Sequence, residues 1–199
     1  MTSAVSLIEL YRRAVRGLET ALDHWFLGLL ARLVFLAVLV PYYLNSALTK
    51  FDGPFSVADG AYYQIALPAV DAAGGDVSAV SLFPWGLMVF LGSYGEVILP
   101  LLVVAGLFTR IAALGMIGFI IVQTLTDVLV HNVDATTIGA LFDRFPDSVI
   151  LDQRLLWIFP LVYLVVKGAG LVSLDKLLCT VWTRRMSAQA KGGRLAPTA

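Results

Sequence analysis

Four long apolar runs, separated by polar segments, organise this chain of 199 residues. They cover about 25–48, 83–107, 110–129 and 153–172. A helix of about 20 residues rises 1.5 Å per residue and crosses a ~30 Å hydrocarbon core. The pattern predicts an all-α integral membrane protein, a bundle of four spans. Pro41 falls in the second half of the first run, where it removes one backbone hydrogen bond and predicts a kink. Tyr42 and Tyr43 follow at the expected far interface. Pro84 suits the first turn of the second span, and Trp85 suits an interface. Only Phe108-Thr109-Arg110 joins the second and third spans, which predicts an antiparallel hairpin. Asp152 is the expected N-cap of the fourth.

The segment before the first span reads differently. Ala4, Leu7, Ile8, Tyr11, Val15, Leu18 and Leu22 mark one helical face, and Glu9, Arg12, Arg13, Arg16 and Glu19 fill the rest. This predicts an N-terminal amphipathic interfacial helix over 1–24, in preference to a lead-in helix packed on the bundle. The first apolar run begins near Trp25 and outlasts the 7–15 residues of a signal core, so it reads as a retained span. The connections 49–82 and 130–152 are polar. Ala58–Val70 is expected to form a short helix, and Gly74-Gly75 to break it. The domain reading is therefore a surface helix (1–24), a transmembrane domain (25–180) and a basic tail (181–199) expected to be disordered.

Composition supports this picture. The chain is 59% hydrophobic and 14% charged, against about 25% charged in soluble domains. Net charge is zero, which leaves no basic field for nucleic acid. The single cysteine, Cys179, permits neither an intrachain disulfide nor a dithiol. The two histidines, His24 and His131, flank different parts of the chain, so no metal site is expected. Charge is unevenly placed. Arg12, Arg13, Arg16, Arg110, Lys176, Arg184, Arg185, Lys191 and Arg194 fall on one side of the spans. The opposite loops carry Lys50, Arg144 and Arg154 against eight aspartates. The basic side is expected to be cytoplasmic, with both termini on it.

Two polar groups are candidates for chemistry. Arg32, Glu96 and Lys167 lie within the apolar runs, where a charge needs a partner or a purpose. Glu96 is the deepest. By depth its expected partner is Arg32, and less easily Lys167. Snorkelling to headgroups is the alternative for the two cations. Protonation by desolvation is the alternative for the acid. The second group is a stripe, Gln123, Asp127 and His131, at i, i+4 and i+8 on one face of the third span. Asn45 and Lys50 sit at a similar level on the first span. Together they predict an outward-opening pocket in which His131 and Asp127 exchange protons, as a quinone site requires. Lys50 or Asn45 would hold a carbonyl oxygen there. Interhelical hydrogen bonding is the simpler reading of each residue alone. Gly92, Gly95, Gly106, Gly115, Gly118, Gly168 and Gly170 mark expected close helix packing.

These residues resemble a family pattern. Arg32, the stretch Leu48-Thr49-Lys50-Phe51, Glu96, Gly106-Leu107-Phe108-Thr109-Arg110, His131, Lys167-Gly168-Ala169-Gly170 and Ser173-Leu174-Asp175 occur in the order seen in the DoxX family. That is a family of small four-helix bacterial membrane proteins, and the resemblance covers about residues 25–180. It implies kinship with the small subunit of a thiosulfate:quinone oxidoreductase. It also implies a multi-pass protein of the bacterial inner membrane, quinone as the one cofactor and none bound covalently, and a protein partner in a membrane redox complex. Arg32, Lys50, Glu96, Arg110 and His131 are carried over as pattern positions without assigned roles, and Thr109 and Arg110 mark the hairpin motif. The chain is then at most a subunit of a quinone-linked oxidoreductase. The competing readings are a scaffold for a periplasmic partner and a small transporter or lipid-binding bundle. No inverted repeat favours the transporter.

Overall fold

A computed structural model of the chain describes residues 2–53 and 56–192. Nine α-helices are described: α1 (Thr2–Leu22), α2 (Phe26–Leu48), α3 (Asp59–Ile65), α4 (Leu67–Ala72), α5 (Leu87–Ala105), α6 (Thr109–Leu129), α7 (Ala135–Ile138), α8 (Leu151–Lys167) and α9 (Leu174–Gly192). A small antiparallel hairpin, β1 (Phe51–Gly53) with β2 (Ser56–Val57), follows α2.

Helices α2, α5, α6 and α8 form the bundle, packed in a ring in which α2 touches α5 and α8, and α6 touches the same two. Phe35, Leu39, Tyr43, Val103, Met116, Ile120, Leu161 and Leu164 make its core. The outward faces stay apolar, with Leu33, Val38, Phe90, Ile98, Ile121, Leu125, Leu156 and Phe159 exposed. In water such a belt would be an aggregation liability, whereas against lipid it is the solvent-matched surface. Three helical segments, Phe26–Leu48, Leu82–Ala105 and Thr109–Leu129, are long and apolar enough to cross a membrane.

Helix α8 is shorter than expected. The apolar run continues to Val172, but the helix ends at Lys167 because Gly168 (φ 82°) and Gly170 (φ 80°) turn the backbone into the left-handed region. The extended segment then lies across the start of α2, where Leu171 N donates to His24 O (3.0 Å). At the other end of α8, Asp152 is not the N-cap. It sits in the first turn, where its carboxylate accepts from Ser148 N (3.0 Å) and Ser148 Oγ (2.8 Å), and its own N–H returns to Ser148 Oγ (3.2 Å). A first-turn carboxylate satisfies the helix dipole from inside the helix.

The connection 49–82 is more ordered than its composition suggests. The helix expected over Ala58–Val70 divides into α3 and α4 at Ala66, with Pro68 in the first turn of α4. Ala61, Ala66, Ala69, Val89 and Trp85 form a second apolar cluster that seats this cap on the start of α5. The break at Gly74 and Gly75 stands, both at positive φ.

The C-terminal segment corrects the expected disorder. Residues 174–192 are helical, and only 193–199 of that tail lie outside the described residues. Helix α1 leaves Leu7, Ile8, Tyr11 and Leu18 exposed rather than packed on the bundle.

Candidate functional site

The charged residues within the bundle do not form the expected cluster. Arg32, buried on α2, serves backbone carbonyls instead. Its Nε donates to Val104 O (3.0 Å) and Val103 O (3.2 Å), Nη2 to Val104 O, and Nη1 to Val172 O. The last carbonyls of a helix lack intrahelical partners, so Arg32 stitches the end of α5 to the crossover after α8. Gly106 makes room for it. A Cβ there would lie 2.9 Å from Arg32 Cζ. Lys167 is exposed in the last turn of α8, in accord with snorkelling.

The hairpin motif has a related role. Asp175, in the first turn of α9, accepts from Phe108 N (2.7 Å), Thr109 N (2.9 Å) and Thr109 Oγ1 (2.7 Å). One carboxylate thereby caps the N-terminus of α6 and ties the chain's distant motifs together. Arg110 is exposed and lies along Gly168.

Glu96 pairs with Lys50. Lys50 Nζ lies 2.8 Å from Glu96 Oε2, and both side chains are about 95% buried. Lys50 stands just past the C-terminal end of α2. Its four-carbon stem folds back one turn, so Nζ also donates to Ser46 Oγ (2.7 Å) and Ser46 O (3.3 Å). Ser46 Oγ in turn donates to Glu96 Oε1 (2.9 Å). Depth along the sequence suggested Arg32 for Glu96 because it ignores this reach.

These groups line a cavity of about 580 Å³ between α5 and α6, floored by α2 and roofed by α3. Gln123, Asp127, His131, Lys50 and Glu96 all line it. So the expected outward stripe and one member of the expected charge cluster, Glu96, belong to one site. Met88, Leu91 and Val122 are lining residues and are themselves exposed on the apolar surface, so the mouth opens toward lipid. Gly115 and Gly118 keep the α6 wall thin.

Each stripe residue has a partner. His131 Nε2 lies 3.1 Å from Gln64 O, and a carbonyl only accepts, so that nitrogen carries the proton. Asp127 is in an ion pair with Arg154 of α8, whose Nη1 also reaches Thr124 Oγ1 (2.8 Å). Arg154 is buried, not the loop cation expected. Gln123 Oε1 accepts from Tyr43 Oη (3.3 Å), and its Nε2 donates to Tyr42 Oη (2.7 Å). Tyr42 meets Trp157 in a tilted aromatic contact, with ring centroids 5.2 Å apart.

Asn45 is exposed and does not line the cavity; Tyr42 and Ser46 do. The signal was present in the sequence. Tyr42, Ser46 and Lys50 repeat the i, i+4, i+8 spacing of Gln123, Asp127 and His131. Asn45 lies a quarter-turn away from that stripe.

The DoxX family model matches residues 27–132, which takes in α2, the outer cap, α5, α6 and His131. No curated protein and no solved structure gives a significant match. The match covers just over half of the chain and includes every cavity-lining residue. The chain belongs to the DoxX family.

Proposed function

We propose that this protein is a membrane subunit of a redox system and that the α5–α6 cavity binds a quinone-type ring. One observation carries the reading: polar side chains from three bundle helices converge in an otherwise apolar cavity whose mouth faces lipid. A lipophilic ring with polar oxygens matches that division, its tail leaving through the mouth past Leu91 and Val122. Such a ligand reaches the site from the bilayer without crossing water. His131, exposed at the outer end, is the group best placed to pass protons to the outer aqueous phase. Asp127, held by Arg154, orients that end of the cavity rather than exchanging protons freely.

In this reading the protein sits in a bacterial inner membrane with four spans. The basic ends are cytoplasmic, α1 lies on the inner surface, and the acidic loops are periplasmic. A 17-residue α8 spans about 26 Å, short of the full core, and the crossover 168–173 completes the passage. A protein partner supplies or receives the electrons, since the chain itself has no dithiol.

The test is extraction of lipophilic cofactors from protein purified out of native membranes. Quinone in near-stoichiometric amount is expected, with loss in His131→Ala and Gly118→Leu variants. Quinone-free protein, together with unchanged membrane electron transfer in those variants, would sink the proposal.

A second reading, a scaffold for a periplasmic partner, draws on the loop after α7. Leu141, Phe142 and Phe145 are exposed there among aspartates. Isolation of the native protein as a lone monomer would count against it.

A further inference from the structure

The end of the bundle that carries the α5–α6 turn has a second cavity, of about 450 Å³, which the proposed function does not use. The start of α6 and the first turns of α9 line it, together with the crossover after α8 at Gly168, Ala169 and Gly170. Two cations stand on it, Arg110 from α6 and Lys176 from α9. Both are exposed, and among the described residues neither side chain has an ion-pair or hydrogen-bond partner. Arg110 lies against the crossover, its Nε 3.6 Å from where a Cβ of Gly168 would stand. The acid of the lining is Asp175. Its carboxylate serves the hairpin, where Oδ1 accepts from Phe108 N and Oδ2 from Thr109 N and Oγ1. The lining therefore carries two cations against one acid.

One side of the cavity is apolar. Phe108 and Ile111 line it and are themselves exposed. Leu114, also exposed, lies three residues beyond Ile111 and so on the same face of α6. That face runs on into the lipid-facing surface of the span. A spanning helix that starts at Thr109 has its first turn near the headgroups. Charge and apolar surface thus meet at the depth where a phospholipid changes from phosphate to acyl chain.

We propose that this cavity is a site for an anionic phospholipid, with its phosphate between Arg110 and Lys176 and its acyl chains along Ile111 and Leu114. The planar guanidinium fork matches phosphate oxygens, and the lysine adds a mobile point charge. Basic pockets at the ends of membrane helices take acidic headgroups in this way. A soluble anion would meet the cations but leave the apolar strip unused. A zwitterionic lipid would bring an ammonium group to a lining that is already net positive. The lipid would bridge α6 and α9 alongside the Asp175 cap. Nothing in this depends on what the α5–α6 cavity binds.

The experiment is native mass spectrometry of the full chain, delipidated in a non-ionic detergent. It is titrated with phosphatidylglycerol or with phosphatidylcholine of the same acyl chains. One phosphatidylglycerol per chain is expected, held about tenfold more tightly than phosphatidylcholine. Arg110→Gln and Lys176→Gln should each weaken it about fivefold, and the double variant about thirtyfold. Arg184 and Arg185 lie further along α9 and do not line the cavity. Changing both to Gln should leave phosphatidylglycerol binding as it was, and excess inorganic phosphate should not displace the lipid. All four side chains are exposed, so these variants leave the bundle core intact. Equal binding of the two lipids, or undiminished binding in the Arg110→Gln, Lys176→Gln variant, would overturn the proposal. So would an equal loss on changing Arg184 and Arg185, which would mean diffuse attraction. Displacement by inorganic phosphate would also overturn it, because the ligand would then be an anion and not a lipid.

Discussion

Lys50 Nζ and Glu96 Oε2 meet at 2.8 Å inside the bundle, closing the outer end of α2 onto the middle of α5. Ser46 bridges the pair from one turn below Lys50. Removing one member of a buried pair leaves the other charge uncompensated, at a cost of about 3–5 kcal/mol. Lys50→Met and Glu96→Leu should each lower stability by that order in a detergent-based unfolding titration. The double variant should recover a large part of the loss, because an apolar pair replaces two charges. Additive losses would mean that the two residues act independently.

The Asp175 carboxylate holds the α5–α6 turn from the other end of the sequence. Asp175→Ala strips the cap partners from Phe108 N and Thr109 N at the start of α6, and loss of a helix cap costs about 0.5–2 kcal/mol. A drop in thermal stability of several degrees is expected. Thr109→Ala removes one hydroxyl contact and should cost less. Equal effects would contradict the capping role.

Two glycines make opposite predictions. A Cβ on Gly28 would lie 2.7 Å from Ala169 O, in the backbone of the crossover after α8. A Cβ on Gly118 would meet nothing within 4 Å. Gly28→Ala should therefore separate α2 from the crossover and destabilise by roughly 1–3 kcal/mol, the usual cost of overpacking. Gly118→Ala should leave the melting temperature unchanged. Gly118→Leu should fill part of the cavity without unfolding the bundle, which makes it the variant of choice for blocking a ligand.

Arg154 tests the outer end. It is buried on α8 against Asp127 and Thr124. Arg154→Lys keeps the charge but not the planar fork that engages both partners, so it should not restore the stability lost in Arg154→Ala. Full rescue by lysine would show that charge alone matters there.

The spans were legible because hydrophobic length is a strong local signal: α2, α5 and α6 begin and end within a few residues of the expected limits. The short α8 was not legible from hydropathy, since Leu171 and Val172 are as apolar as the helix they follow. Two glycines at positive φ, not a change of polarity, end that helix. The stripe on α6 was legible from spacing. Its counterpart Tyr42, Ser46 and Lys50 has the same spacing, but Asn45 drew attention as the more polar side chain. The Lys50–Glu96 and Arg154–Asp127 pairs were hidden because they depend on where long side chains fold back, which sequence separation does not encode. The end of α9, from residue 181, read as disordered because it is a basic chain terminus; Asp175 and the hairpin it caps anchor the start of this helix.

The account turns on whether the α5–α6 cavity is where a lipophilic ring binds. A photoreactive quinone analogue, irradiated in native membranes and mapped by mass spectrometry, addresses that directly. Labelling confined to the cavity segments, residues 88–96 and 115–131, and lost in Gly118→Leu, is the predicted result. Labelling spread over the exposed faces of α2 and α8, and unchanged in Gly118→Leu, would contradict it.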